Sequence, residues 1–513
     1  MKNRKKMSSS FILLLFLFLL SISFTSAEDI NDILKDTKNE IAEVLHDNSK
    51  EFSDGFRGVF RQVDDGGKHK SRSKGPKEIV IPLEKFRKIP FADIWERLGH
   101  IAKVSLSRAN RLKHKPKDET VNATGVFPKS YGEYSISLSF GTPPQTIPLI
   151  MDTGSEIVWV PCTKQYTCIF CNSTPVANPL SAPDNMKKYE PLDSESFRQT
   201  TCDHPGCTYI QGRFTCKSCK PTNSTSSNCL EVCPRYALEY GSGVTNGTLL
   251  SDTLTFGEVK IPYFVFGCSN FTFHIPAGIA GFGRGISSIP AQLGLRKFSY
   301  CLLSKTFNDT AKSSPLVLYD GSDSEDEDTD GISRTPFLQG PRKFPYYYIG
   351  LQEITVGGKK VHDVDEFITL HPDGSGGTII DSGATFSFMG KQVYDKVVQE
   401  IDSQAADYKR AANVEKDVHL SPCYEVPKEN ASLPTLGFHF RGGVKMDLPV
   451  MNTFWFIDTN ETTVACLAVV TDRGKGGGGP AVILGNFQQQ NYYVEYDLKH
   501  EHLGFRTQDC SED

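Results

Sequence analysis

Cysteine is absent from the first 161 residues of this 513-residue chain, and extended apolar runs are rare throughout it. The longest apolar run, Phe11 to Leu20, follows a cluster of lysines and an arginine and precedes small residues that end at about Ala27. That layout is typical of a secretory signal peptide, and the run is shorter than the roughly 20 residues of a membrane-spanning helix. We expect residues 1–27 to be a signal peptide and the protein to have no stable membrane anchor. The polar C-terminus argues against a lipid-anchor signal.

The sequence also lacks the signatures of several kinds of catalysis. No His-Glu-x-x-His pattern occurs, and the twelve histidines are scattered, which disfavours a zinc hydrolase. No Gly-x-Ser-x-Gly elbow is present, which disfavours a serine hydrolase of that type. Residues 320–331 are rich in Asp and Glu but lack the spacing of a calcium-binding EF-hand. We therefore expect no metal and no other cofactor, and interpret the acidic run as a solvated loop.

All fourteen cysteines lie between Cys162 and Cys510. An even number of cysteines in a secreted chain favours disulfides. The pairs Cys168/Cys171 and Cys216/Cys219 could instead bind zinc, although no histidines stand at zinc-finger spacing. Eight Asn-x-Ser/Thr sequons are typical of glycosylated surface loops, namely Asn122, Asn172, Asn223, Asn246, Asn270, Asn308, Asn430 and Asn460.

Charge divides the chain unevenly. Residues 68–117 contain 15 Lys and Arg against 4 Asp and Glu, whereas residues 121–513 contain 32 basic and 44 acidic residues. Within the basic region, Phe91, Ile94, Trp95, Leu98 and Ile101 have helical spacing, with cationic residues on the opposite face. Such a helix could bind a membrane surface or nucleic acid. Because it lies between a signal peptide and an acidic, cysteine-rich body, we interpret residues 28–120 as a pro-segment and expect no nucleic-acid partner.

From about Tyr131 onward, short alternating runs rich in β-branched and aromatic residues predict a mostly β body. The stretch YSISLSFGTPPQTIPLIMD predicts two strands around a turn at the Gly-Thr-Pro-Pro sequence. One amphipathic pattern, at residues 391–408, predicts a surface helix.

Two stretches of the body repeat one pattern. Asp152 in LIMDTGSEIVWVPC and Asp381 in GGTIIDSGATFSFM each follow an apolar run and precede a hydroxyl residue and a glycine. Each is followed later by a matching element, GIAGFG at 278–283 and VILGNF at 482–487. The repetition predicts two pseudo-symmetric lobes, at residues 121–315 and 316–513. A cysteine-rich insert between Cys162 and Cys233 lengthens the first lobe.

Duplicated aspartates at a lobe interface have a chemical consequence. Two carboxylates at close range cannot both ionise cheaply, so they share a proton. The ionised member can then act as a general base on water that attacks an amide carbonyl, while the protonated member stabilises the developing oxyanion. We therefore predict that Asp152 and Asp381 are the catalytic residues of an acid-dependent endopeptidase.

Further motifs occur in a specific order along residues 131–510. They are FGTPPQ, DTGSEIVWVPC, EYGSGVTNGTL, FGC, GFGRGISSIPAQL, FSYCL, YYYIGLQEITVGG, IIDSGATFSF and VILGNFQQQNYYVEYDLKHEHLGF. In these motifs the chain resembles the pepsin-like aspartic endopeptidases, and within them the plant nepenthesin-like branch.

That resemblance implies an all-β, bilobal pepsin-like fold with a cleft between its pseudo-symmetric lobes. It also implies substrate-binding roles for Tyr240, in a flap, and for Gly154 and Gly383, whose backbone N–H groups approach the carboxylates. It further implies that the hydroxyls of Thr153 and Ser382 brace the two active-site loops against each other. A disulfide between Cys423 and Cys466 is implied in the same way.

The two aspartate loops differ at one position. Ser155 can donate a hydrogen bond to Asp152, whereas the equivalent residue of the second loop is Ala384. Because losing a donor raises the pKa of a carboxyl, we expect the acid limb of the pH–rate profile to lie closer to neutrality.

We interpret the basic pro-segment as an inhibitor of the cleft at neutral pH, with a lysine against the two aspartates. Acid would release it for cleavage near residues 115–130, so mutating the lysines of RLKHKPK should allow activity without acid treatment.

The resulting prediction is a secreted, monomeric endopeptidase acting on polypeptides, with the cell wall and the vacuole both left open as destinations. The alternative is a binding or inhibitor protein on the same fold, because some plant proteins that resemble this family act on microbial glycanases rather than on peptides. The presence of both aspartates and of Tyr240 favours the protease.

Overall fold

The computed structural model describes most of the chain from Glu78 onward. The described residues are 78–85, 94–113, 133–169, 171, 186–211, 231–240, 243–256, 259–273, 275, 277–304, 313–319, 331–341, 345–428, 431–458, 462–472 and 478–511. The predicted signal peptide, the predicted cleavage region and residues 320–330 of the acidic run lie outside them.

Strands account for most of the secondary structure, as predicted. They are β1 (Glu78–Lys85), β2 (Tyr134–Phe140), β3 (Gln145–Asp152), β4 (Trp159–Pro161), β5 (Thr167–Ile169), β6 (Arg198–Gln199), β7 (Tyr236–Glu239), β8 (Val244–Phe256), β9 (Val259–Phe273), β10 (Gly278–Gly281), β11 (Lys297–Cys301), β12 (Ser314–Tyr319), β13 (Ser333–Leu338), β14 (Tyr347–Ile349), β15 (Leu351–Val356), β16 (Lys359–Lys360), β17 (Thr378–Ile380), β18 (Ser387–Met389), β19 (Lys409–Arg410), β20 (Cys423–Val426), β21 (Leu436–Phe440), β22 (Val444–Asp447), β23 (Phe454–Asp458), β24 (Thr463–Leu467), β25 (Val469–Val470), β26 (Val482–Leu484), β27 (Tyr492–Asp497) and β28 (His502–Thr507).

Helices are few and mostly short. Those of the described residues are α1 (Ile94–Lys113), α2 (Pro205–Gln211), α3 (Ile289–Leu293), α4 (Asp365–Ile368), α5 (Lys391–Gln404), α6 (Ala412–Val418) and α7 (Val450–Thr453). Helix α5 confirms the surface helix predicted at 391–408, although it ends four residues earlier. Within the part of the chain described, no helix is both long enough and apolar enough to cross a membrane.

The predicted repeat is present in the strand pairing. Strand β3 runs parallel to β10, with Asp152 opposite Gly281, and β10 also pairs antiparallel with β4. In the second half β17 runs parallel to β26, with Ile380 opposite Leu484, and β26 pairs antiparallel with β18. The elements GIAGFG and VILGNF therefore occupy equivalent places, each directly beside the strand that leads to an aspartate.

The predicted hairpin is also present, because β2 and β3 pair antiparallel from Ser135 opposite Ile150 to Phe140 opposite Gln145. Alternating residues of β2, including Ile136 and Leu138, have no exposed surface. Burial of these apolar side chains favours the strand pair over any slipped register, which would turn them toward solvent.

The described parts of the basic region, residues 78–85 and 94–113, pack against the rest of this folded body. Strand β1 pairs antiparallel with β12 and extends to the start of β2. Helix α1 contributes Leu98, Ile101, Ala102, Ala109 and Leu112 to one apolar cluster with aromatic side chains of the second half of the chain. Those aromatic residues include Phe386, Trp455 and Phe487. The helix predicted from periodicity is therefore present, although Phe91 lies outside the described residues.

Five disulfides join described cysteines, and every described cysteine is disulfide-bonded. They are Cys162–Cys268, Cys168–Cys171, Cys207–Cys233, Cys301–Cys510 and Cys423–Cys466. The predicted Cys423–Cys466 pair is confirmed. The zinc interpretation of Cys168 and Cys171 is wrong, because these two thiols are bonded to each other; Cys216 and Cys219 lie outside the described residues.

Two of the eight sequons are described, and for these the expected position in a loop is wrong. Asn246 lies in β8 and Asn270 in β9, where strand pairing holds the backbone. Both side-chain carbonyls accept hydrogen bonds from Arg235 Nη2, at 3.2 and 2.5 Å. The cross-strand contact explains their half-buried state.

Candidate active site

The two aspartates lie at the ends of the equivalent strands. Asp152 is the last residue of β3, and Asp381 follows the last residue of β17. Their side chains are almost completely buried, with 1% of Asp152 and none of Asp381 exposed. The strand pairing therefore brings together two carboxylates that are 229 residues apart in sequence.

Reciprocal hydrogen bonds hold the two aspartate loops together. The Thr153 backbone N–H donates to Ser382 Oγ at 3.1 Å, and the Ser382 N–H donates to Thr153 Oγ1 at 2.9 Å. Ser382 Oγ in turn donates to the Met151 carbonyl at 3.1 Å. Both hydroxyls thus join the loops, in the arrangement that the sequence predicts.

The two glycines allow each loop to approach the other loop's carboxylate. A Cβ added to Gly154 would lie 2.7 Å from Asp381 Oδ1, and one added to Gly383 would lie 2.5 Å from Asp152 Oδ1. Each glycine N–H also donates to the carboxylate of its own loop at 2.9 Å. Any side chain at either position would push the carboxylates apart.

Arg108, on helix α1, joins both carboxylates. Its Nε donates to Asp381 Oδ2 at 2.5 Å, and its Nη2 donates to Asp381 Oδ1 at 2.9 Å and to Asp152 Oδ1 at 2.5 Å. The contact to Asp381 is therefore bidentate, the geometry for which a guanidinium is best suited. A cation from the basic region upstream of residue 120 does lie against the two aspartates, but the expectation that it is a lysine is wrong.

The lysine that ends helix α1 points elsewhere. Lys113 pairs with Asp472 at 2.5 Å, and its Nζ lies 4.9 Å from the centre of the Phe388 ring. The other lysines of RLKHKPK lie outside the described residues. Ser105 adds a second contact between α1 and the site, accepting a 2.9 Å hydrogen bond from the Phe386 N–H.

Burial and charge act in opposite directions on these groups. Burial raises the pKa of Asp381, the Arg108 charge lowers it, and the neighbouring Asp152 raises it, with a net upward direction. For Arg108, burial lowers the pKa, but the attraction of Asp152 and Asp381 outweighs burial and raises it. Arg108 therefore stays charged at any pH the protein meets.

Tyr240 lies at the end of the hairpin formed by β7 and β8. Its N–H donates to the Gly243 carbonyl at 2.6 Å, which closes the turn. Its hydroxyl accepts a 3.0 Å hydrogen bond from Trp159 Nε1, and the two ring centres are 6.3 Å apart. Tyr240 lines a small cavity beside Arg108 and Asp152, together with Glu133 and three isoleucines, Ile150, Ile275 and Ile279.

Ser155 does not have the contact predicted for it. Its buried hydroxyl makes no hydrogen bond to any described residue, and Asp152 Oδ2 is likewise without a donor among them. Asp152 Oδ1 is instead satisfied by Gly154 and Arg108. In this arginine-bound arrangement, the predicted Ser155 hydrogen bond to Asp152 is not made.

Three residues near the site were missed in the sequence: Arg108, Trp159 and Asn486. Arg108 lies on the apolar face of α1, seven residues after Ile101. A single cation within an apolar face indicates a buried anionic partner, so this residue could have been identified from the sequence. Trp159 lies within the stretch LIMDTGSEIVWVPC, but its hydrogen-bond partner, Tyr240, lies 81 residues further along the sequence. Asn486 donates to the Ser382 carbonyl at 2.8 Å and is part of the repeated element VILGNF.

Family models and curated relatives match most of the chain. Models of the xylanase inhibitor N-terminal and C-terminal domains match residues 134–318 and 346–507. A probable aspartyl protease of Arabidopsis thaliana is 32% identical over 426 residues, which cover 74% of this chain and 83% of that protein. The aspartic proteinase nepenthesin-1 of Nepenthes gracilis is 33% identical over 388 residues, covering 74% of this chain and 78% of that protein.

Solved structures resemble the chain in fold. The crystal structure titled edgp has a TM-score of 0.56 at 19% identity, covering 86% of this chain and 99% of that one. Basic 7S globulin from soybean has a TM-score of 0.54 at 17% identity, covering 85% and 99%. These matches show the fold alone, which is the two-lobed, mostly β pepsin-like fold. The family models and the curated relatives establish that the chain belongs to the plant pepsin-like aspartic protease family that includes the nepenthesins.

Proposed function

We propose that the protein is a secreted aspartic endopeptidase, synthesised in a latent form and active at acidic pH. The observation that carries the proposal is the pair of buried carboxylates, Asp152 and Asp381, held at one point by two equivalent loops. Family membership makes polypeptides the substrate class. Entry into the secretory pathway is supported by the N-terminal apolar run and by the disulfides, which form in oxidising compartments.

The chemistry follows from the sharing of one proton by the pair. One carboxylate, ionised, takes a proton from a water molecule as that water attacks the carbonyl carbon of the peptide bond. The other, protonated, donates a hydrogen bond to the carbonyl oxygen as negative charge develops there. The tetrahedral intermediate then breaks down when the first carboxyl returns the proton it took from water to the leaving nitrogen, the C–N bond breaks, and the first carboxyl becomes ionised again. Because the two titrations are coupled, both pH limits of the reaction belong to the pair.

Tyr240 and its hairpin have a separate role in this proposal. The hydrogen bond from Trp159 holds the tyrosine hydroxyl over the cavity that the isoleucines line. A hairpin that closes over bound peptide would exclude bulk water from the two carboxylates. The apolar lining favours an apolar substrate side chain beside the bond that is cleaved.

The decisive experiment measures hydrolysis of a denatured protein substrate from pH 2 to 7 after acid treatment of the secreted protein. We expect activity at acidic pH in the natural sequence and its loss in Asp381→Asn and in Asp152→Asn. These substitutions preserve side-chain size, so matched melting temperatures would exclude misfolding as the cause. Undiminished hydrolysis by either folded variant would refute the proposed mechanism.

We propose that residues 28–120 keep the protease latent, with Arg108 as the contact that blocks the carboxylates. Its guanidinium is hydrogen-bonded to both carboxylates and occupies the space beside them, so water and a peptide carbonyl cannot reach them. Because Arg108 does not lose its charge, release depends on protonation of Asp152 and Asp381. The Arg108 charge lowers the pKa of Asp381 relative to the same carboxyl without its guanidinium, so the bound arginine opposes protonation and acid should favour its release.

Arg108→Gln tests that proposal. Without the guanidinium the carboxyls protonate at higher pH, so the pH that activates half of the latent protein should rise by about 1–3 units. Arg108→Lys is the matched control, because it keeps one positive charge and should retain most of the latency. An unchanged activation midpoint in Arg108→Gln would show that Arg108 does not maintain latency.

A second function, binding of a glycan-degrading enzyme, is favoured by the names of the two matching family models. Such binding would not require Asp152 or Asp381 to take part in a reaction. If a folded protein freed of residues 28–120 shows no hydrolysis, while binding a microbial xylanase in a pull-down, this second function replaces the first.

A further inference from the structure

A side chain of the repeated element VILGNF holds one peptide group of the second aspartate loop. Asn486 Nδ2 donates to the Ser382 carbonyl at 2.8 Å. A carbonyl oxygen can only accept, so the nitrogen and not the oxygen of the Asn486 amide must face it. Asn486 has no exposed surface and Ser382 is 1% exposed, so bulk water does not compete for this contact.

The same peptide group carries a donor to one of the two carboxylates. The peptide unit that contains the Ser382 carbonyl also contains the N–H of Gly383, and the two point in opposite directions because the unit is planar and trans. That N–H donates to Asp381 Oδ1 at 2.9 Å. One rigid group therefore connects the Asn486 amide to the Asp381 carboxylate.

Backbone pairing fixes the position from which Asn486 reaches the loop. The N–H of Asn486 donates to the Ala384 carbonyl at 2.7 Å, and the N–H of Phe487 donates to the Thr385 carbonyl at 2.9 Å. Gly485 allows this close approach, because a Cβ there would lie 2.6 Å from the Thr385 carbonyl oxygen. The Asn486 amide is therefore presented to the loop from a fixed backbone.

A phenylalanine stands at the equivalent place beside the first aspartate loop. Gly281 lies opposite Asp152 in the strand pairing, and the residue after it is Phe282, whose ring has no hydrogen-bond donor. The Phe282 ring packs instead against Phe298, with ring centres 5.3 Å apart. The amide therefore acts on Asp381 and not equally on both carboxylates.

We propose that Asn486 is a positioning residue for the reaction, which fixes the peptide between Ser382 and Gly383 so that its N–H stays directed at Asp381. A peptide whose carbonyl already accepts a hydrogen bond donates more strongly through its N–H. A donor to the ionised form of a carboxyl stabilises that form. Asn486 thereby favours the ionised state of Asp381. The inference rests on the proposed function, because positioning matters only if the pair is catalytic.

The experiment compares Asn486→Leu with the natural sequence after acid activation. Leucine keeps the approximate shape of asparagine and removes the amide donor, so the Gly383 N–H should donate more weakly and the pKa of Asp381 should rise. Because the two titrations are coupled, this rise is divided between the two limbs of the kcat/KM profile, which together should move up by about 0.5–1 pH unit. At the optimum kcat should fall about threefold to tenfold with KM changed little, since a misdirected donor weakens catalysis more than peptide binding.

Asn452→Leu is the matched control. Asn452 is 6% exposed, and its Nδ2 donates to the Gln490 carbonyl at 2.7 Å and, over 3.3 and 3.4 Å, to those of Gln488 and Phe487, which lie outside the aspartate loops. The control should lower the melting temperature to a similar extent and leave both limbs and kcat unchanged. If leucine prevents folding, Asn486→Ala, which adds no atoms to the core, takes its place.

Three results would overturn the inference. They are limbs at their natural positions in a folded Asn486 variant, limbs moved to lower pH in that variant, or an equal upward shift in Asn452→Leu. An inactive natural sequence in the same assay would instead refute the proposed function, so the two failures can be told apart.

Discussion

Ala384 stands in the second aspartate loop where Ser155 stands in the first. It is 3% exposed and belongs to the apolar cluster that receives helix α1. Its carbonyl accepts a 2.7 Å hydrogen bond from Asn486, so the backbone there is held in place. The second carboxylate therefore has an apolar neighbour on the side where the first loop carries a hydroxyl.

Ala384→Ser should move the acid limb of the pH–rate profile. Once Arg108 has left, a serine hydroxyl at position 384 can donate to Asp381, which stabilises the anion and lowers its pKa. The limb, which reports the carboxyl that must be ionised, should shift to lower pH by a fraction of a unit. The measurement is kcat/KM from pH 2 to 7 for both proteins. An identical or higher limb would refute the role given to this position.

Much of the site at this scale was predictable. Asp152, Asp381, Thr153 and Ser382 carry a repeated local pattern, and their chemistry is intrinsic to the residue types. The contacts of Ser155 were not predictable, because whether a hydroxyl reaches a neighbouring carboxylate depends on the conformation of the folded loop. Arg108 and Gly154 donate to Asp152 Oδ1, while Ser155 donates to neither oxygen of this carboxylate.

Helix α1 carries Arg108, the residue to which we attribute latency. Gly99 packs directly on α6, since a Cβ there would lie 2.6 Å from the Asp417 carbonyl. The contact lies more than two helical turns before Arg108, so a change at Gly99 leaves the ion pairs themselves intact. It therefore tests docking of the helix separately from its charge.

Gly99→Ala should weaken docking of α1. The added methyl group forces the helix away from the backbone of α6, which cannot move aside cheaply. The latent protein should then activate faster at a fixed acidic pH, by about threefold to tenfold, with unchanged activity of the mature form. Asn110→Ala, at an exposed position of the same helix, is the control and should activate at the natural rate. Equal rates for all three proteins would refute a role of α6 in latency.

Periodicity predicted the existence of α1 but not its partner. Its sequence shows an apolar face, and any apolar surface could cover that face. The surface that α1 covers is formed by α6, β18 and β25, which follow α1 by some 300 residues in the sequence. Only packing of the whole chain creates it.

At the scale of the molecule, the disulfides differ widely in the length of the chain segment that each encloses. Cys301–Cys510 joins residues 209 apart and connects β11 to the chain after β28, whereas Cys168–Cys171 spans three residues. The entropy that a crosslink removes from the unfolded chain grows with the loop it closes. The two bonds should therefore contribute unequally to stability.

Paired Cys→Ser substitutions should show this difference. Removing Cys301–Cys510 should lower the free energy of unfolding by about 4 kcal/mol, and removing Cys168–Cys171 by no more than about 2 kcal/mol. Urea unfolding in an Asp381→Asn background, which prevents self-digestion, measures both. The four cysteines are all nearly completely buried, so the comparison is matched. Equal losses would contradict the loop-length account.

The sequence by itself determined the duplicated strand-and-aspartate pattern, the mostly β composition and the chemistry open to two carboxylates. These depend on residue type and short-range periodicity, which are local properties of a chain. Tertiary structure alone decided which cation meets the aspartates, which hydroxyls brace their loops, and how Tyr300 comes to hydrogen-bond both Tyr496 and Gln489. Those contacts join residues that are far apart in sequence, and only burial in a common core selects one set of partners among many with the same chemistry.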